Sequence, residues 1–377
     1  MRIDNLVLDN GTWENVSTGL KSDDVADIVF IFGDTDTVQE ASTYKVIKKK
    51  YPDSHIVGSS SSGNILGREI SSHSIVATAV KFETSKVEVK SVDYRDGLDL
   101  KELSSELVNK LNKDGLKHVF ILSDGLQVNG SELVSGVNSA LGNVTVTGGL
   151  AGDGDRFLNT YIIADDEAKS GRITAVGFYG DNLTADTGCF GGWSEFGTQR
   201  RITKSEANVL YTIDDEPALD FYKRYLGEYA SELPQSGLRF PLSIKKDKDD
   251  SEVIRTMLAI DEESKSITYA GNVPEGYLAR LMKPDSDMLI EGAGHAAGEI
   301  KVVNDKPALG LVVSCVGRKI VLGQLIDEEL EEISDALGKN INLVGFYSYG
   351  EIAPFEVDKL KCELHNQTMT LTAIYES

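Results

Sequence analysis

Three short runs in this chain are apolar at nearly every position: DIVFIFG (residues 27–33), HVFILS (118–123) and LGLVVSC (309–315). A strand with one wet face alternates apolar and polar residues, so a run without alternation predicts a strand covered on both faces. Each run is followed by a helical pattern and a second apolar run. After the first, a helix is predicted over about residues 37–51, stopped by Pro52, and HIVGSSSSGNILG (55–67) gives the next strand and its loop. After the second, residues 131–141 present Leu133, Val137 and Leu141 on one helix face, and a strand over 144–147 enters GGLAGDG. An earlier helix presents Leu100, Leu103, Leu107, Val108 and Leu111 and ends near Gly115. After the third, a helix over 319–337 carries Leu322, Ile326, Leu330, Ile333 and Leu337, and a strand over 342–347 enters SYGEI. These are βαβ units, normally parallel and right-handed.

The loops support a threefold repeat. VGSSSSGN (57–64), VTGGLAGD (146–153) and VGFYSYGE (344–351) share a valine, a glycine six positions on, and then a polar or acidic residue. Gly-rich loops also make plain tight turns, which is the competing reading. In open sheets of βαβ units, ligands sit beyond the carboxyl ends of the strands. The loops FGDTD (32–36), SDGLQ (123–127) and SCVGR (314–318), with the three glycine loops, are therefore expected where a site forms. Whether the serines of residues 59–62 line a second pocket is left open by the sequence.

Composition narrows the partners. The 377 residues suffice for two or more domains. Sixty acidic against thirty-eight basic residues give a net charge of -22, which repels phosphate backbones and anionic membranes, so neither nucleic acid nor membrane insertion is expected. No apolar stretch approaches the ~20 residues of a membrane helix, and the N-terminus lacks a basic leader with an apolar run. Three cysteines without CxxC spacing signal neither a disulfide framework nor zinc. A reducing cytoplasm is the expected location.

Between the second and third units, CFGGWSEFGTQRRIT (189–203) is turn-rich, a strand is expected over 208–213, and Asp214 or Asp215 is expected to cap a helix bearing Leu219, Tyr222 and Leu226. Residues 233–252 read as a loop with a solvated charge run. The expected fold is α/β with mixed or parallel sheets built from repeated βαβ units, in two lobes. The expected division is an N-terminal extension over 1–26, a first domain over 27–203 and a second over 204–377, with an accessory region reaching about residue 284.

VGFYSYGEIAPF and CELHNQTMTLT near the end closely resemble the FIST family (F-box and intracellular signal transduction proteins). TGGLAGDGDRFLNTYI (147–162), PALDFYKRYLG (217–227), GNVPEGY (271–277) and SCVGRKIVLGQ (314–324) fit the same pattern in the same order. The resemblance implies a sensory module that binds an amino acid or similar small ligand and signals in trans to a partner such as a histidine kinase. For one branch it implies haem b and nitric oxide sensing, with a partner kinase or cyclic-di-GMP enzyme. Otherwise no cofactor, metal or catalysis is expected. Since the resemblance centres on residues 343–375, Tyr347, Ser348, Tyr349, Gly350, Glu351, His365 and Asn366 are candidate ligand contacts; the same groups can instead saturate one another at a buried turn. Arg318 offers a planar fork to a ligand carboxylate, or pairs with an acidic neighbour. Gly148, Gly149 and Asp153 join the set from the second glycine loop, where Asp153 and Asp155 can hold an ammonium group or stabilise turns. Cys315 joins it from its strand end; as a nucleophile it would take His365 as base, without an identifiable third group. GAGHAA (292–297) matches a dinucleotide-binding glycine pattern only weakly. His365 is the nominee for a haem ligand among His55, His73, His118 and His295.

Overall fold

The computed structural model describes residues 1–9, 11–71, 73–301, 306–354 and 360–377. In the first unit come strands β1 (Arg2–Asp9), β2 (Thr12–Ser17) and β3 (Ile28–Gly33), helices α1 (Thr35–Val38) and α2 (Ala41–Lys50), then β4 (His55–Ser60), β5 (Asn64–Leu66), β6 (Glu69–Ser71) and β7 (Ile75–Lys81). The second holds β8 (Lys86–Asp93), α3 (Leu100–Asn109), β9 (Leu116–Ser123), α4 (Gly130–Leu141), β10 (Thr145–Leu150), β11 (Ile162–Ala164) and β12 (Arg172–Tyr179). The third opens with β13 (Leu183–Phe190). An insertion follows: β14 (Ser194–Glu206), β15 (Val209–Ile213), β16 (Glu216–Pro217), α5 (Ala218–Leu226), β17 (Leu242–Lys245), β18 (Val253–Arg255), β19 (Met257–Asp261), β20 (Ser266–Tyr269) and β21 (Leu278–Lys283). The unit closes with α6 (Ser286–Gly298), β22 (Ala308–Cys315), α7 (Val316–Leu322), α8 (Ile326–Leu337), β23 (Ile341–Ser348), β24 (Gly350–Pro354), β25 (Cys362–His365) and β26 (Met369–Glu376).

Three six-stranded sheets result, in the orders β11-β4-β3-β7-β1-β2, β25-β24-β10-β9-β12-β8 and β6-β5-β23-β22-β26-β13. At the heart of each is one parallel pair, β3/β4, β9/β10 or β22/β23, with antiparallel neighbours. The repeat read from the loops is thus a repeat of whole sheets. The strand after each glycine loop leaves its own sheet: β5 pairs with β23, β11 with β4, and β24 with β10. The exchange runs in a cycle, so each sheet is completed by another unit, and the three sheets wrap their shared core as one barrel-like body, the barrel. The insertion makes a fourth, eight-stranded sheet with its own apolar core around Leu219, Tyr222 and Ile267.

The pattern of burial explains the runs without alternation. Phe30 and Phe32 of β3, Phe120 and Leu122 of β9, and Leu311 and Val313 of β22 all point into one core shared by the three sheets. Their neighbours Val29 and Ile31, Val119 and Ile121, and Val312 face outward into separate clusters. Phe32 stacks on Phe346 at 4.9 Å and Phe30 meets Phe120 edge-on at 6.2 Å, which joins all three units at the centre. Each buried aromatic of this kind contributes about 1.5–3 kcal/mol by burial.

Several local expectations are revised. The helix expected over 37–51 is two helices, α1 and α2. The helix expected over 319–337 is broken at Gly323, whose φ of +55° ends α7 before α8 begins. Asp214 and Asp215 do not cap α5; both lie at positive φ in a turn, and Asp214 accepts the N–H of Arg201 at 2.9 Å. The expected loop over 233–252 contains β17, because Leu242 and Ile244 point alternately into the inserted core. His365 closes β25, and Gln367 at φ +62° turns the chain into β26. GAGHAA lies inside α6, not in a loop after a strand.

Candidate functional site

At the carboxyl ends of the strands the three glycine loops hold one another. The N–H of Ser62 donates to Tyr347 O (2.8 Å), that of Tyr349 to Leu150 O (3.1 Å), and that of Gly152 to Ser60 O (3.2 Å). Beside this ring lies a polar cavity of about 460 Å³. Its lining comes from FGDTD (Asp34–Thr37), from Ser61–Asn64 and Ile70, Ser71 and His73, from Asp153–Arg156 of the second unit, and from Lys319 of the third.

Charge in this cavity is divided unevenly. Arg156 bridges Asp36 (2.9 Å) and Asp153 (2.5 Å), and Asp153 also accepts the N–H groups of Leu158 and Asn159. Burial raises the Asp153 carboxyl, but these donors outweigh it and hold it below its usual range. Lys319 is half-buried; it donates to Ser62 O at 2.5 Å and sits 5.9 Å from the Tyr347 ring centroid. Burial lowers its ammonium, against the opposing pull of Asp34 and Asp155. Burial likewise raises Asp34, against Lys319 and Arg156. Among the described residues, no side chain pairs with Asp34 or Asp155 within ion-pair distance. The cavity thus offers one ammonium and two unpaired carboxylates.

The sequence candidates are spread over several places. Asp153 lines the polar cavity. Tyr349 stacks on Phe157 at 4.5 Å and lines another cavity with residues 125–130 and the inserted sheet. His365 lines a third, between the barrel and the insertion. Arg318 is fully buried: Nε and Nη2 donate to Glu329 Oε2 (3.0 and 2.8 Å), Nη2 to Leu289 O (2.7 Å), and Nη1 to Gly191 O. The guanidinium faces protein acceptors, not a cavity. Tyr347, also fully buried, donates to Glu329 Oε1 at 2.6 Å. Cys315 accepts the Gly317 N–H at the start of α7, and burial raises its thiol. Gly148 and Gly149 pack inside the barrel, where a Cβ would strike Ile121 O and Val313 respectively. Gly350 packs against Leu150 and Leu364, and the buried Asn366 accepts the Thr256 N–H and donates to His365 O. Glu351 is fully buried and bonded to Ser348 Oγ (2.5 Å) and to the N–H and hydroxyl of Thr368 (3.1 and 3.0 Å). Burial pushes its carboxyl up to about 7, against those three donors.

Comparison with known proteins decides the relationship. The FIST N domain model matches residues 27–216 and the FIST C domain model residues 218–354. The chain belongs to the FIST family. FIST domains are sensory domains of signal transduction. An uncharacterized protein of Methanocaldococcus jannaschii is 21% identical, over 93% of this chain and 73% of its own. Two solved structures are similar at 9% identity: a cyanuric acid hydrolase from A. caulinodans (TM-score 0.35, 93% of this chain and 90% of that one) and a chorismatase (TM-score 0.32, 96% of each). At those TM-scores neither bears on function.

Asp34 and Lys319 of this FIST chain were missed from the sequence. Asp34 sits in FGDTD, a loop the topology argument had placed at the site. Lys319 sits next to Arg318, and the helix phase could have separated them: Arg318 shares its face with Leu322 four positions on, which is buried, whereas Lys319 turns toward the cavity. The five histidines are dispersed through the fold, and His365 lines the third cavity. His118 is inside the barrel on Thr147, His55 pairs with Asp165 and His73 with Asp9, His295 lies against Phe190, and His365 contacts Ala353 O at 3.2 Å. No helix among the described residues is long and apolar enough to cross a membrane.

Proposed function

We propose that this FIST chain is a receptor for a small amino acid that carries an additional positive charge, bound in the polar cavity. A zwitterion needs a cation for its carboxylate and an anion for its ammonium group. Lys319 supplies the first, and Asp34 and Asp155 supply two of the second, which favours an ornithine- or lysine-like ligand over a neutral or acidic one. That charge count, one ammonium against two unpaired carboxylates, carries the reading. The ligand would join Asp34 of the first unit to Lys319 of the third beside the ring of crossing loops. Occupancy then shifts the balance between two arrangements of those loops, which a partner distinguishes. A histidine kinase or a cyclic-di-GMP enzyme is the partner class the family resemblance implies.

Calorimetry with ornithine, norvaline and glutamate tests this. A charge-assisted hydrogen bond is worth about 1.5–3 kcal/mol, so ornithine should bind at least ~10-fold tighter than norvaline, and Lys319→Met should weaken both. Equal binding of ornithine and norvaline overturns the extra charge. No binding of any amino acid overturns the receptor.

A further inference from the structure

A cavity of about 380 Å³, within the range of small-molecule sites, lies between the barrel and the inserted sheet. Its chemistry differs from that of the polar cavity. Phe190 and Trp193 line it from the barrel side, and Ile254 of β18 with Met282 of β21 line it from the insertion. Trp193 is 8% exposed and fixed by donating its indole N–H to Gln367 O at 2.9 Å. The polar groups within are uncharged or already engaged. Thr368 gives both its N–H and its hydroxyl to Glu351, and Glu252, exposed at the mouth, accepts from Ser243 at 2.7 Å. His365 is held neutral by burial and by nearby Arg255, its pKa lowered to about 4.

Two aromatic rings, two thioethers (Met282 and Met288) and a branched aliphatic side chain suit a flat aromatic body, since methionine sulfur and aromatic faces both favour ring contacts. A charged ligand would lose its hydration there, and the carboxylate of the lining, Glu252, stands in water at the mouth, where an ion pair contributes little. We propose that this cleft is a second ligand site, taking a small neutral aromatic molecule whose occupancy clamps the inserted sheet to the barrel. The site is separate from the amino acid cavity and does not depend on it.

Benzyl alcohol is a suitable probe, with benzoate and benzylamine as charged counterparts. In a Trp13→Phe background Trp193 is the sole tryptophan of the chain, and its emission should shift saturably with benzyl alcohol. Benzoate and benzylamine should each bind at least tenfold more weakly. Ile254→Phe, which fills the cavity, should abolish the shift, while Met282→Leu should keep binding within about threefold. Hydrogen exchange should slow on both sides of the cleft, in Val253–Arg255 and in residues 189–193. Lys319→Met should leave this binding unchanged while weakening ornithine binding, so either proposal can fail alone. Absence of a saturable shift in the folded Trp13→Phe protein overturns the site. So does equal binding of the charged analogues or loss of binding with Lys319→Met. Exchange protection on one wall only overturns the clamp.

Discussion

Arg318 and Lys319 are neighbours on α7, yet one is sealed inside and the other reaches a cavity. The buried Arg318–Glu329 pair, with both partners at 0% exposure, sits in a network that also takes in Tyr347 and Ser314. Removing one partner of such a pair leaves an uncompensated charge, so Glu329→Ala should cost about 3–5 kcal/mol in urea unfolding. A loss under about 1 kcal/mol would mean that the guanidinium finds other acceptors or water. Glu351 supplies a test by pH. Its native value of about 7 lies above the ordinary 4.5, so the folded state holds the proton more tightly than the unfolded chain. The stability this gives is full below about pH 4.5 and fades as pH rises through 7, by an amount on the order of 3 kcal/mol. Unfolding midpoints of the wild type should therefore fall relative to Glu351→Gln between acidic and mildly alkaline pH. Parallel pH profiles would show that Glu351 titrates alike in the folded and unfolded states. These roles were only half legible in the sequence. Residue types announced polar chemistry around residues 343–375, but whether a side chain meets a ligand or another side chain depends on burial, which no local spacing encodes.

The glycine loops were legible as repeats because their spacing is local, and the crossing of strands between sheets was not. After β23 the chain leaves for the second sheet, and at Gly345 β23 presses closely on β22: a Cβ there would collide with Val312 O. A carbonyl in a neighbouring strand cannot move aside as a side chain can, so Gly345→Ala should cost more than about 3 kcal/mol or prevent folding. Gly323→Ala meets nothing within 4 Å and should cost only about 1–3 kcal/mol for its positive φ. Equal costs by denaturant titration would remove the strand-contact argument. The break at Gly323 stayed hidden in the sequence because Leu322, Ile326, Leu330 and Ile333 keep helical spacing across it; the pattern records which residues are buried, not whether one helix or two present them.

Cyclic exchange makes the molecule hard to divide. The second sheet ends on β24 and β25 from near the C-terminus, and the third ends on β5 and β6 from near the N-terminus. Residues 1–203 and 204–377 expressed apart should each lack edge strands and core partners, giving broad thermal transitions and strong binding of a hydrophobic dye. Mixing them during refolding should restore a cooperative transition; sharp unfolding of either piece alone would show that the shared core is dispensable. The sequence by itself determined the strands covered on both faces, the threefold repeat of βαβ units, the acidic surface and the FIST resemblance, because periodicity and composition are properties of neighbouring residues. Only the tertiary structure decided that the three sheets share one core and trade strands, that Arg318 is internal while Lys319 and Asp34 share a cavity, and that His365 faces a different cleft from Asp153. Those outcomes depend on contacts between separate elements, many of them far apart in the chain, set by packing around the barrel and not by any pattern along the chain.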